Sequence, residues 1–268
     1  MAINALQSAS SGLSALNTAL DVTANNLANI NTHGFKGSRV NFQDLIYVEK
    51  AQPGTLNANQ DQRPMGEYVG LGVKVSGTQL DFQRGAPQFT DNPLDVMIDG
   101  NGFFEVQVED AVGNGGKAYT RAGNFTLNAD GELVLGNDQG RRIEGISIPD
   151  TAESVTIGPD GRVLYTEAGN PEQQEAGQLQ IATFINRTGL KQIGENLYVE
   201  TSASGPPTTG NPGEESRGSL LSGFLESSNV DPTRELIDLI RTQRAFEMNS
   251  QSIRAADETL RAIGQLRR

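Results

Sequence analysis

The chain has no cysteine and no tryptophan, a single histidine, and 5 tyrosines among 268 residues. Without cysteine there is no disulfide, no thiolate metal ligand and no thiol nucleophile. Nothing covalent would then hinder passage between compartments as an unfolded chain. The lone His33 has no second imidazole for a metal site and no cysteine to activate, so its place between Thr32 and Gly34 reads as a turn at a helix end. Phosphate-loop, nucleophile-elbow, zinc-protease and dinucleotide-binding motifs are all missing. Gly100-Asn101-Gly102 runs into Phe103 and Phe104, a strand rather than a helix, and so reads as a hairpin turn. The acidic pairs Glu109-Asp110 and Glu214-Glu215 lie in turn-rich sequence and read as solvated charge rather than calcium ligands or a general acid and base. The expectation is a protein that is not an enzyme and uses no metal or cofactor.

Long apolar runs are absent too, and with a mean hydropathy of -0.42 no membrane insertion is expected. The first thirty residues contain no Lys or Arg and are interrupted by Asn4, Asn17, Asn25, Asn26 and Asn29, unlike a cleavable signal peptide. Export, if it occurs, is expected by another route. The net charge of -12 is uneven: residues 1–40 hold two basic and one acidic side chain and residues 231–268 hold seven and six, which leaves 12 basic against 26 acidic between them. An acidic middle of that size argues against nucleic acid, whose binding rests on neutralising phosphates. The near-neutral ends permit close packing.

What the chain does have is a heptad at each end. Leu6, Leu13, Leu20 and Leu27 recur every seven residues, with Leu16 and Ile30 between and beyond them. Leu239, Phe246, Ile253 and Leu260 do the same near the other end, flanked by Leu236 and Ile263. Such stripes mark helices that bury one narrow face against another helix. Periodicity alone fits equally a hairpin within one chain or pairing with copies. The first helix is expected from about Ile3 to Asn31, stopping at Gly34. Its many Asn, Ser and Thr residues are mediocre helix formers, which makes it weak in isolation. The last helix has a clear start, Asp231 as cap and Pro232 at the first helical position, and should run to Leu266.

Between the helices the signals are extended. Asn41 to Glu67 begins apolar and turns polar, and reads as a long loop or ribbon in need of partners. From Val69 to Leu225, short β-forming runs alternate with turns such as Asp99-Gly100, Asn114-Gly115, Asp130-Gly131 and Asp160-Gly161. The reading is α+β with several parts: a terminal helical domain of residues 1–35 plus 229–268 paired as a coiled coil, an extended linker or β-ribbon over 36–90, and an outer β domain over 91–228.

Four stretches carry a resemblance. Asn25, Asn26, Leu27, Ala28 and Asn29, followed by Gly34, Phe35 and Lys36, resemble the N-terminal signature of the flagellar rod and hook proteins. Residues 98–104 with 119–125, residues 223–231, and residues 243–249 agree with that family in order and spacing. Within it the chain looks most like the distal rod branch, on its length, on the run Gly194 to Thr201, and on the polar segment around Gln52-Pro53-Gly54. His33 departs from the usual small polar residue before Gly34. The resemblance implies a structural subunit that self-assembles as a helical filament of many copies, a drive shaft carrying torque to the hook. It implies an inner tube of paired terminal helices, Leu6, Leu13, Leu20 and Leu27 against Leu239, Phe246, Ile253 and Leu260, and a ribbon that stiffens the rod. Implied partners are the proximal rod proteins, the hook protein, the surrounding ring proteins and the flagellar export apparatus, with the rod in the periplasmic part of the basal body. A proximal rod or hook protein of the same family, and at a distance a β-domain adhesin, are the other readings.

Overall fold

A computed structural model describes residues 2–56, 62–109, 115–167 and 170–266. The side chains of Leu260 and Ile263, together with Asp110 and Asn114, lie outside what is described. The architecture is α+β: one helix near each end of the chain and a mainly-β middle. The described contacts divide it into two compact units, residues 1–28, 38–80 and 231–268 in the first, residues 29–37 and 81–230 in the second.

In the first unit, α1 (Ala2–Ala28) packs along α2 (Pro232–Leu266). Asn249 of α2 bonds Ala9 near the start of α1, and Glu235 at the start of α2 bonds Asn26 near the end of α1, so the two helices are antiparallel. α2 begins where the sequence says it should. Asp231 Oδ1 accepts from the Thr233 backbone N–H at 2.9 Å, and the Asp231 carbonyl accepts from Glu235 N at 3.0 Å. α1 ends three residues before Asn31. The competition that makes Asn and Thr poor helix formers acts here: Thr32 N donates to the Asn29 carbonyl at 3.2 Å and Thr32 Oγ1 to Asn29 Oδ1 at 3.1 Å, closing a turn in place of another helical one. Gly34 is left-handed, at φ +70°, but it stands six residues beyond the helix and is not its cap.

After α1 the chain forms a two-stranded ribbon over residues 38–51 and 67–80, while residues 57–61 of the polar stretch between lie outside the described residues. β1 (Ser38–Asp44) pairs antiparallel with β4 (Val73–Leu80), and β2 (Tyr47–Ala51) with β3 (Glu67–Gly70). Two strands alone make a marginal sheet, and this one leans on α1. The Val73 N–H donates to Ser11 Oγ at 3.2 Å and Ser8 Oγ donates to the Gly70 carbonyl at 3.4 Å. Gly72, at φ +115°, makes this approach possible, since a Cβ there would lie 2.1 Å from Ser11 Oγ. The serines that weaken α1 as a helix are what let the ribbon dock on it.

The second unit is built on a six-stranded antiparallel sheet in the order 191–194, 197–199, 117–120, 103–107, 181–183, 208–210. Among the described residues, two three-stranded sheets and two short strand pairs accompany it. Asp130-Gly131 and Asp160-Gly161 turn within the three-stranded sheets, with φ +76° and +85° at their glycines. The core joins Val96, Ile98, Phe104, Phe125, Leu133 and Val163, and the rings of Phe104 and Phe125 meet edge to face at 5.0 Å.

Candidate functional site

Along α2 the partly covered positions are Glu235, Leu239, Thr242, Ala245, Phe246, Asn249, Ser250, Ile253 and Ala256, and all but Ala245 and Ser250 fall on one line. Along that line the spacing alternates four and three, which suits packing against one neighbouring helix. Three of the expected stripe residues, Leu239, Phe246 and Ile253, therefore share one line. Interleaved with them is a second line of polar or small residues, Glu235, Thr242, Asn249 and Ala256. Leu236 falls off the seam and is 46% exposed, beside Ile237 at 44% and Ile240 at 47%.

On α1 the contacts at Ala9, Gly12 and Asn26 set the line facing α2. Helical spacing adds Leu16, Ala19 and Thr23 to it. Leu6, Leu13 and Leu20 stand to one side of that line, partly covered, and Leu27 lies close to it, also partly covered. Ile30 is in the turn beyond α1. Among the signature residues, Asn25 and Ala28 are exposed whereas Asn26 is 3% exposed.

Asn26 explains its own burial. Its Nδ2 donates to the Ser38 carbonyl at 2.8 Å, its Oδ1 accepts from Ser38 N at 2.9 Å, and Nδ2 also donates to Glu235 Oε1 at 3.1 Å. One side chain thus ties the end of α1, the start of β1 and the first turn of α2. Burial pushes the Glu235 carboxyl above its ordinary range, and the Asn26 amide offsets this in part by bonding the carboxylate. A carboxyl raised on folding contributes stability that is complete below its unfolded value and is lost as pH rises through its folded value. The helix pair should accordingly tighten when pH falls from neutrality towards about 4.5. In Glu235→Gln that part of the pH dependence should vanish from thermal melts followed at 222 nm. A wild-type pH slope retained in the variant would count against the assignment.

In the second unit, three charged side chains meet out of solvent. Lys36 and Glu226 have fully covered side chains, with Nζ 2.6 Å from Oε1, and Arg121 Nη1 lies 3.4 Å from Glu226 Oε2. Lys36 also donates to the Gln83 carbonyl at 2.7 Å, Glu226 Oε1 accepts from Gly85 N at 2.9 Å, and Arg121 donates to the Ile98 and Gly100 carbonyls. The Arg121 guanidinium stands 5.5 Å from the centre of the Phe103 ring, and its Nε has no hydrogen-bond partner among the described residues. Desolvation lowers the affinity of both Lys36 and Arg121 for their protons, against the opposing pull of Glu226. Two cations thus share one anion.

This cluster fixes loops. Lys36 belongs to the short segment after α1, Glu226 to the strand before α2, and Gly34 N donates to the Glu226 carbonyl at 2.7 Å. Asn229 adds to it: Oδ1 accepts from Gly37 N at 2.8 Å and Nδ2 donates to the Asp81 carbonyl at 2.8 Å. His33 contributes its carbonyl, which accepts from Asn196 Nδ2 at 3.1 Å. Sequence reasoning singled out Lys36 but not Arg121, Glu226, Asn229 or Asn249. The available signal was their position, since all four lie inside the motif stretches 119–125, 223–231 and 243–249.

Buried charges that hold backbone, and a helix pair with apolar side chains exposed on one side, fit a structural protein. Family models agree with that class: "Flagella basal body rod protein" matches residues 6–36, "Flagellar hook protein FlgE/F/G D1 domain" residues 97–165, and "Flagellar basal body rod FlgEFG protein C-terminal" residues 221–266. The chain is 42% identical over 267 residues to the flagellar basal-body rod protein FlgG of Caulobacter vibrioides, covering 99% of this chain and 100% of that one. It is 43% identical over 257 residues to the FlgG of Agrobacterium fabrum, with 96% of each chain covered. It is 40% identical over 270 residues to that of Bacillus subtilis, covering 99% and 100%. The chain belongs to the flagellar basal-body rod protein family, whose members are structural components and not enzymes.

Proposed function

We propose that this chain is a subunit of the distal rod, which self-assembles into a rigid helical tube and carries motor torque to the hook. The observation that carries this reading is the match, end to end, to basal-body rod proteins. The open face of α2 supports it: Leu236, Ile237 and Ile240 are exposed in a single chain, and Met248 is 62% exposed further along the helix. Copies related by a rotation that does not close would cover that face and generate a filament. In such a tube α1 and α2 form an inner coiled coil, the ribbon lies against neighbouring copies, and the β unit faces outward. Proximal rod proteins, the hook protein, the surrounding rings and the export apparatus are the other partners, in the periplasm.

Deleting residues 2–28 removes the α1 side of the seam and should abolish filament formation. Electron microscopy of the purified variant at concentrations where the full chain assembles checks this, and ordered filaments from the variant would sink the proposal. A sister axial role is the second reading. It is favoured by the match of residues 97–165 to the hook-protein model and by 27% identity over 278 residues to the flagellar hook-basal body complex protein FlhP of Bacillus subtilis. Labelling in cells separates the two, because a hook subunit is reached from outside the envelope and a rod subunit is not.

A further inference from the structure

The heptads at the two ends carry an ambiguity. Leu239, Phe246 and Ile253 repeat every seven residues along the seam, so sliding α2 along α1 by seven residues, about 10 Å, sets one apolar layer of α2 where another was. Apolar packing alone hardly distinguishes these registers, and a filament whose subunits differ by that slide is not a uniform shaft.

We infer that Asn249 and Glu235, the two polar seam residues that bond α1, are the pins that select one register, and that Gly12 is the slot for the first. Asn249 Nδ2 donates to the Ala9 carbonyl at 2.9 Å. Gly12 leaves room for that bond: a Cβ there would stand 2.7 Å from the same nitrogen, so a side chain at residue 12 would push the amide aside. Two heptads away, Glu235 Oε1 accepts from Asn26 Nδ2 at 3.1 Å. Slide α2 one heptad towards the end of α1 and Asn249 meets Leu16 while Glu235 runs beyond Ala28. Slide it the other way and Glu235 meets Ala19 while Asn249 is carried to the first residues of α1. Either slip breaks both bonds and strands polar groups in a seam, a cost of the kind that lets a single buried Asn fix register in helix pairs. Thr242, the polar residue between the pins, bonds its own helix at Asp238 and imposes nothing on α1. The seam is therefore apolar where it gains cohesion and polar at two points where it gains uniqueness.

The inference takes its setting from the filament reading but is tested separately from it. The chain has no cysteine, so spin labels can be placed at will through Ser14→Cys and Arg244→Cys, both on exposed positions of the two helices. Labelled chains are diluted into unlabelled ones, assembled, and the distance is read by pulsed electron resonance. Chains with the native seam should give one narrow distance. Asn249→Leu, which favours Leu16 over the Gly12 slot, should add a second population displaced along the helix axis by about 10 Å. Should leucine prevent assembly, Asn249→Ala decides, since it fills nothing and should show the second population at lower weight. A single unchanged distance in whichever variants assemble overturns the inference. Failure of the unsubstituted chain to form filaments would count against the filament reading instead, and the same distances in the free chain would then decide the register.

Discussion

Glu226→Gln should destabilise the β unit by about 3 kcal/mol or more, and Lys36→Met should cost clearly less. Breaking a buried ion pair on one side leaves an uncompensated charge, and such losses run to about 3–5 kcal/mol. The two partners here are not equivalent. Among the described residues Glu226 is the anion that pairs with both Lys36 and Arg121, so its removal leaves two cations facing each other with their side chains at most 1% exposed. Glutamine can still accept from Lys36 and Gly85 but brings no charge. Removing Lys36 instead leaves one arginine against one carboxylate, and forfeits a bond to the Gln83 carbonyl. The double variant should be more stable than Glu226→Gln alone, because taking away the second cation relieves the repulsion that the first change exposes. Urea unfolding followed by tyrosine fluorescence checks the order: there is no tryptophan to mask the signal, and Tyr119 and Tyr198 are buried in this unit. Equal losses from the two single variants, or a larger loss for Lys36→Met, would show that the cluster is held by packing rather than by charge balance.

The same cluster marks what could and could not be read from the sequence. The start of α2 was legible because Asp231 and Pro232 act locally, within one turn of where they stand. The β middle was legible because Asp-Gly pairs need left-handed glycines whatever surrounds them. The seam was legible only in part. A heptad of leucines draws the eye to Leu6, Leu13 and Leu20, yet α1 faces α2 through Ala9 and Gly12, because small residues let helices approach closely and a count of apolar spacing gives them no weight. Charged residues met the same difficulty in stronger form. Single-chain reasoning puts Lys, Arg and Glu at the surface, which is right for most of them, and the three that are buried find one another across separations of 85 to 190 residues that no local pattern encodes. Glu235 and Asn249 look like breaks in a stripe until their partners on α1 are seen.

Gly34→Ala should lower the stability of the β unit by about 2–5 kcal/mol, much more than alanine at another left-handed glycine of the same unit. Two costs add at this position. At φ +70° any L side chain is strained, by roughly 1–2 kcal/mol. The new Cβ would also lie 2.7 Å from Ala122 N and 2.8 Å from the Arg121 carbonyl carbon, a backbone contact that no rotamer change relieves, and overpacking of this kind typically costs about 1–3 kcal/mol more. Gly205, at φ +75° with nothing within 4 Å of its Cβ position, carries only the first cost. In a unit of this size each kcal/mol moves the midpoint by roughly 2–4 °C, so Gly205→Ala should melt a few degrees low and Gly34→Ala about 5–15 °C low. The comparison isolates why glycine stands there. If the two variants melt together, left-handed geometry alone accounts for Gly34. If Gly34→Ala is far worse, the residue is required because the turn after α1 lies against the backbone beside Arg121, and Gly34 N bonds the Glu226 carbonyl. In that case the glycine and the charge cluster are parts of a single device. The glycine brings the loop in close, and the buried charges keep it there.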